Sequence, residues 1–181
     1  MTTKTSKVQS LFNHPNISSA EFLNPHKMDP ELIIGLNGTR DWIKRPMSFT
    51  QTAGGTIIHP HGDAVDVWSK THAKGSLHKY DCEHVRTAEI KSVVKEPGSL
   101  GLAQDWDCGI KDLEELFDMY LIVERLNYWE GIGLYPHWNR PGFHTDIRSL
   151  DHPYARARWF RIKDGSYFPL TWANWKSKVM Q

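Results

Sequence analysis

The sequence has few cysteines and no long apolar run. Its 181 residues include only two cysteines, Cys82 and Cys108, which do not form a CxxC pair. Two cysteines cannot build the disulfide framework of a small secreted domain, so free thiols in a reducing compartment are expected. Residues 1–10 lack the apolar segment of a signal peptide, and no later stretch reaches the roughly 20 apolar residues of a membrane span. We therefore expect a soluble cytosolic product with no membrane partner.

An excess of charge of one sign is also missing. The formal net charge is +1, from 22 basic and 21 acidic residues. This balance gives no general attraction to polyanions, so no nucleic-acid partner is expected. The length and the 39% hydrophobic content predict a single domain over residues 1–181 with a substantial core. We assign the core to about 17–162 and an aromatic C-terminal extension to 163–181.

Tryptophan, by contrast, is abundant. Most of the eight tryptophans lie in the second half of the chain, among them Trp129, Trp138, Trp159, Trp172 and Trp175. Packing in the core and on the surface accounts for such residues in most domains. Exposed indole faces also stack on sugar rings, so a carbohydrate-containing polymer stays open as a ligand.

The hydrophobic pattern predicts helices and strands without regular βαβ alternation. Asp29-Pro30-Glu31 has the residues of a helix start, and the apolar spacing that follows predicts a helix over 29–44. The strongest helical periodicity covers 110–129, and 82–94 is predicted as a short helix. Strands are predicted at 47–52, 56–68, 131–135, 142–148 and 157–162. This order favours an α+β fold with a small antiparallel sheet flanked by helices.

The first motif that carries chemistry is His59-Pro60-His61-Gly62-Asp63-Ala64-Val65-Asp66. It places an imidazole and a carboxylate seven residues apart around a glycine. Residues seven apart on a regular strand point to opposite faces, so Pro60 and Gly62 would have to bend the chain for the two groups to meet. This spacing is compatible with a metal site on the predicted sheet.

A second motif lies far downstream. The segment Gly142-Phe143-His144-Thr145-Asp146-Ile147-Arg148 follows the glycine-rich strand at 131–135. Together with His59 and Asp66, His144 completes a set of three ligands, which is typical of catalytic Zn²⁺ and leaves a fourth position for water. In the alternative without metal, these residues are ordinary hydrogen-bonded groups; the occurrence of both motifs in one chain favours the metal site.

The two motifs also resemble a known family. The chain is similar to the zinc D-Ala-D-Ala carboxypeptidases and L-alanyl-D-glutamate endopeptidases over about residues 17–159. The resemblance consists of HxxGxAxD, then a GxGxY strand, then Phe-His-x-Asp-x-Arg, in that order along the chain. The resemblance implies that His59, Asp66 and His144 bind Zn²⁺ and that the chain hydrolyses peptide bonds in bacterial peptidoglycan. A member without a signal peptide resembles a phage endolysin, released from the host cytoplasm to act on the wall, or a virion-carried lysin.

The chain departs from the family pattern at the general base. Members commonly carry an acid or a histidine three positions before the last ligand, where this chain has Pro141. Asp146 lies two residues beyond His144 and therefore on the same face of a strand. It is the candidate general base, and orientation of a ligand imidazole is the alternative role that stays open.

A second departure concerns substrate binding. Many members carry an arginine before the first motif, where this chain has Ala53-Gly54-Gly55. Arg148 and Arg140 are the candidates to contact the substrate in its place. Both departures leave a second hypothesis open, in which the chain is a catalytically inactive, metal-stabilised module that binds the wall or forms part of a virion or tail.

Overall fold

The structure is a computed structural model, and it describes residues 17–22, 28–49 and 102–181. Its three α-helices in these ranges are α1 (Pro30–Ile43), α2 (Leu113–Arg125) and α3 (Trp172–Lys178). Its strands there are β1 (Ser48–Phe49), β2 (Ala103–Asp107), β3 (Gly131–Tyr135), β4 (Gly142–Asp146), β5 (Ala157–Arg161) and β6 (Tyr167–Pro169). The predicted strand at 56–68 and the predicted helix at 82–94 lie outside the described residues. None of the helices in the described ranges is long and apolar enough to cross a membrane.

The helices begin where side chains cap them. α1 begins at Pro30, as predicted, with Asp29 accepting a hydrogen bond from a backbone N–H of the first turn. α2 begins at Leu113 rather than at residue 110, because the Asp112 carboxylate accepts a hydrogen bond from the Glu115 backbone N–H. The apolar periodicity therefore located the helix, while the cap determined its first residue.

The described strands form one mixed sheet in the order β1-β2-β4-β3-β5-β6. Neighbouring strands are antiparallel except β3 and β5, which are parallel. The α+β architecture is thus confirmed, and the expected antiparallel sheet is corrected to a mixed one. The parallel pair arises because β4 returns the chain to the end of the sheet where β3 began, and β5 starts from that end on the other side of β3.

One face of this sheet, the core face, is apolar. Its central row consists of Trp106, Phe143, Leu134 and Phe160, which are neighbours across β2, β4, β3 and β5 and are all fully buried. Trp106 and Phe143 stack with ring centroids 4.4 Å apart. Apolar residues of α1 and α2 belong to the same cluster, among them Leu32, Ile33, Leu36, Leu116, Phe117 and Val123. Burial of these side chains is the main stabilising contribution to the fold.

The segment beyond residue 162 belongs to the same core. β6 pairs with β5, and α3 contributes Trp175, whose ring is fully buried and lies edge-on to Phe160 at 5.3 Å. Its helix begins after Thr171, whose side chain accepts a hydrogen bond from the Asn174 backbone N–H. The aromatic residues expected in an extension thus help to cover the core face.

Candidate functional site

The opposite face of the sheet, the polar face, carries the candidate site. Asp105, His144, Gly133 and Trp159 form a row across β2, β4, β3 and β5. Because strand side chains alternate between faces, this row points away from the core face to which Phe143 belongs. The sheet therefore brings an acid, an imidazole and an indole together from three strands.

His144 lies between two carboxylates. Its Nδ1 is 3.0 Å from Oδ1 of Asp105, and its Nε2 is 3.0 Å from Oδ2 of Asp146. Burial acts to lower the pKa of His144, but the hydrogen bonds to the two carboxylates outweigh it and raise the pKa from 6.5 to about 9. In this geometry an imidazolium donates one hydrogen bond to each acid.

Asp146 is anchored by Arg148. The fully buried carboxylate accepts from Nε of Arg148 at 2.7 Å and from its Nη2, and its Oδ1 also accepts from the Arg148 backbone N–H at 3.2 Å. Burial acts to raise the pKa of Asp146, whereas the bonds to Arg148 and His144 lower it well below its ordinary value. The guanidinium also donates to the Tyr154 carbonyl at 3.2 Å and lies over the Trp159 ring at 5.3 Å. Asp146 is therefore held as an anion in a fixed position.

Two glycines of β3 make room for this arrangement. A Cβ atom at Gly131 would lie 2.2 Å from Oδ2 of Asp146, and one at Gly133 would lie 2.5 Å from the Trp159 indole. The Trp159 ring in turn lies 5.2 Å from the His144 ring. The GxG pattern is thus required by close approach of side chains from the neighbouring strands, because any larger residue would displace them.

A tyrosine borders the cluster at the end of β3. The Tyr135 ring stacks on Trp138, with centroids 4.1 Å apart and planes 9° apart. Burial first, and then the nearby Asp105 carboxylate, raise the pKa of Tyr135. The phenol therefore stays protonated at neutral pH. It is therefore a neutral polar group at the edge of the site.

The structure brings together three of the residues predicted from sequence, His144, Asp146 and Arg148. The predicted ligands His59 and Asp66 lie outside the described residues. Both therefore remain predictions.

Arg140, the other predicted substrate contact, binds elsewhere on the polar face. Its Nη2 lies 2.6 Å from Oδ1 of Asp107, and its side chain is 63% exposed. Asp105 and Trp159 were not predicted as site residues. The alternation of polar and apolar residues around Trp106 could have indicated that Asp105 lies on the polar face of a strand. No local signal, however, indicates which strand would lie beside it.

Comparison of the chain with models of protein families, with curated proteins and with solved structures gives no match. The family resemblance therefore depends on the two motifs alone. Within residues 17–22, 28–49 and 102–181, no group of three or more His, Cys, Asp or Glu side chains is arranged to hold a metal ion. A site with three protein ligands would need a donor from outside these ranges, where the sequence predicts His59.

Proposed function

We propose that this chain is a zinc-dependent peptidase that hydrolyses peptide bonds in bacterial peptidoglycan stems or cross-links. The observation that carries the proposal is the hydrogen bond between His144 Nε2 and the anchored Asp146 carboxylate. A histidine that binds a metal through one ring nitrogen almost always donates from the other to a carboxylate, a carbonyl or water. His144 has such a partner, and this supports metal binding through its Nδ1.

The donors on the polar face fit the chemistry of zinc. Imidazole nitrogen and carboxylate oxygen are both common zinc ligands, and His144 and Asp105 present one of each within 3.0 Å. When bound, Zn²⁺ supplies a Lewis acid that acidifies a water ligand and polarises a substrate carbonyl. His59 and Asp66 stay the predicted partners of His144 from the first motif.

Within this proposal Asp146 orients His144 and does not act as the general base. An acid whose pKa is strongly lowered is a weak proton acceptor at neutral pH, and this carboxylate already binds Arg148 and His144. Arg148 correspondingly acts through Asp146, since two of its nitrogens are bound there. We infer that both residues position the imidazole.

A second candidate function is favoured by these same hydrogen bonds of Asp146. Pro141 stands where the family pattern has its base, and Asp146 is already bound to two neighbours. A catalytically inactive, metal-stabilised module that binds the wall would need no base. The phage-lysis or virion setting of either function depends on the family resemblance alone.

The test is digestion of purified peptidoglycan by the wild-type protein, His144→Ala and His152→Ala. His152 is the control histidine, because its ring accepts a hydrogen bond from the Tyr154 backbone N–H and lies tilted to the Tyr154 ring at 5.8 Å. We expect zinc-dependent release of a defined stem fragment, identified by mass, with wild type and His152→Ala and none with His144→Ala. Zinc-loaded wild-type protein that binds walls without changing their peptide composition would instead support the inactive module.

A further inference from the structure

We propose that Asp105 is the carboxylate ligand of the metal site, in the role predicted for Asp66. The inference deepens the proposed function, and it depends on that function for the presence of a metal. It concerns which acid shares the metal with His144, and it is argued from strand pairing, from the two contacts of the His144 ring and from a sequence pattern.

The first observation is the position of Asp105 relative to His144. The two residues are directly opposite each other in the antiparallel pair of β2 and β4, with Oδ1 and Nδ1 3.0 Å apart. Two atoms that both bind a tetrahedral zinc at about 2.0–2.1 Å are about 3.3 Å apart. The observed distance is therefore within a few tenths of an ångström of the separation of two zinc ligands.

The second observation is the assignment of the two ring nitrogens. Nε2 of His144 is bonded to Asp146, whose side chain is fully buried and held by Arg148. Nδ1 faces Asp105, whose side chain keeps 15% of its surface exposed. The Asp146 contact is therefore the more deeply buried of the two and orients the ring, whereas the Asp105 carboxylate keeps some contact with solvent.

The third observation is a pattern that occurs twice in the sequence. GxAxD is present as Gly62-Asp63-Ala64-Val65-Asp66 and again as Gly101-Leu102-Ala103-Gln104-Asp105. The second segment repeats the glycine, the alanine and the acid of the first motif but has Gly98 where that motif has His59, so it matches the GxAxD part alone. The pairing of β2 with β4 puts the acid of the second segment next to His144 and thereby favours Asp105.

The decisive experiment replaces the acid by a thiolate and reads coordination directly. Asp105→Cys, Asp66→Cys and Asp107→Cys are prepared in the full chain carrying Cys82→Ser and Cys108→Ala, and each is loaded with Co²⁺. Asp107 is the matched control, because it lies on the same strand and face but binds Arg140. A thiolate-to-cobalt charge-transfer band in the near ultraviolet appears only where the new cysteine binds the ion.

We expect this band in Asp105→Cys and not in the other two variants. A band in Asp66→Cys with none in Asp105→Cys, or no bound cobalt in the parent, would overturn the inference. Asp105→Asn is the second variant, and it covers the case in which the cysteine variant fails to fold. Its zinc dissociation constant should rise by at least about 100-fold, against little change in Asp107→Asn, with folding checked by circular dichroism.

The metal and hydrolysis readouts separate this inference from the proposed function. Zinc bound by wild type and lost in Asp105→Asn, without peptidoglycan cleavage by either, would support the ligand and refute the peptidase. Zinc and cleavage both retained in Asp105→Asn would refute the ligand and support the peptidase.

Discussion

The two faces of the sheet are built from alternate residues of the same strands, yet they are stabilised by different forces. On β4, Phe143 faces the core and stacks on Trp106, while the next residue, His144, faces two carboxylates. The core face gains from removal of apolar surface from water, which requires no specific partner. The polar face must satisfy each buried charge with a matching group, because unpaired charges are very costly to bury.

The composition of the polar face is therefore explained by its geometry more than by stability. Replacing buried ion pairs by apolar residues is often neutral or stabilising, so a chain under pressure for stability alone has little need of them. Asp146, Arg148 and His144 nevertheless form a continuous buried network. Changes on the two faces should therefore alter stability by different amounts.

Truncation on the core face should give the largest loss. Phe143→Ala removes a fully buried ring and leaves a cavity beside Trp106, so the free energy of unfolding should fall by about 3–5 kcal/mol. Urea denaturation measures the change. Leu150→Ala, at a side chain that is 63% exposed, is the control and should change stability by less than about 0.5 kcal/mol. A loss below about 1 kcal/mol in Phe143→Ala would contradict the assignment of the core face.

Removing one charge from the polar face should cost almost as much. Asp146→Asn leaves the buried Arg148 guanidinium without its counter-charge, and unfolding should become easier by about 3 kcal/mol. The double variant Asp146→Asn/Arg148→Met removes both charges and should recover part of the loss in the same urea experiment. If the losses of the two single variants, Asp146→Asn and Arg148→Met, simply added in the double variant, the two residues would not form a coupled pair.

A methyl group added under the polar face should have an intermediate effect. Gly131→Ala places a Cβ atom 2.2 Å from the Asp146 carboxylate and should destabilise the protein by about 2 kcal/mol. Gly38→Ala is the matched control, because Gly38 lies within α1 and, apart from its chain neighbours and the backbone of its own helix, no atom lies within 4 Å of the added Cβ. It should stabilise the protein by about 0.5–1 kcal/mol in thermal or urea unfolding. Equal effects at the two positions would show that the close approach of Asp146 to Gly131 does not exclude a larger residue there.

The smallest effect concerns pH. Burial raises the pKa of the Cys108 thiol from 9.0 to about 11. Between these values the unfolded chain loses the thiol proton while the folded chain keeps it, so stability should fall as pH rises from about 9 to about 11, by at most about 2 kcal/mol. Cys108→Ala lacks this titration. The difference between its stability profile against pH and that of wild type therefore isolates the contribution of the thiol. Parallel profiles would mean that the thiol titrates equally in both states.

The elements predicted correctly are those with a local signal. The start of α1 follows from Asp29 and Pro30, and β3 and the first five residues of the strand predicted at 142–148 follow from apolar and glycine patterning. β2 was not predicted, because AQDWD is short and carries three polar residues, which resembles a loop. The parallel pairing of β5 was also missed, since strand direction depends on where the preceding strand ends.

The local geometry of the candidate site follows from the chain itself: the two-residue period puts His144, Asp146 and Arg148 on one face of one segment. The position of Asp105 opposite His144 and of Trp159 over Gly133 depends instead on how the strands pair. The physical reason is that strand order and register are nonlocal, because they are chosen by the joint burial of the core-face residues of four strands. A shift of one residue in that register would exchange the core face for the polar face.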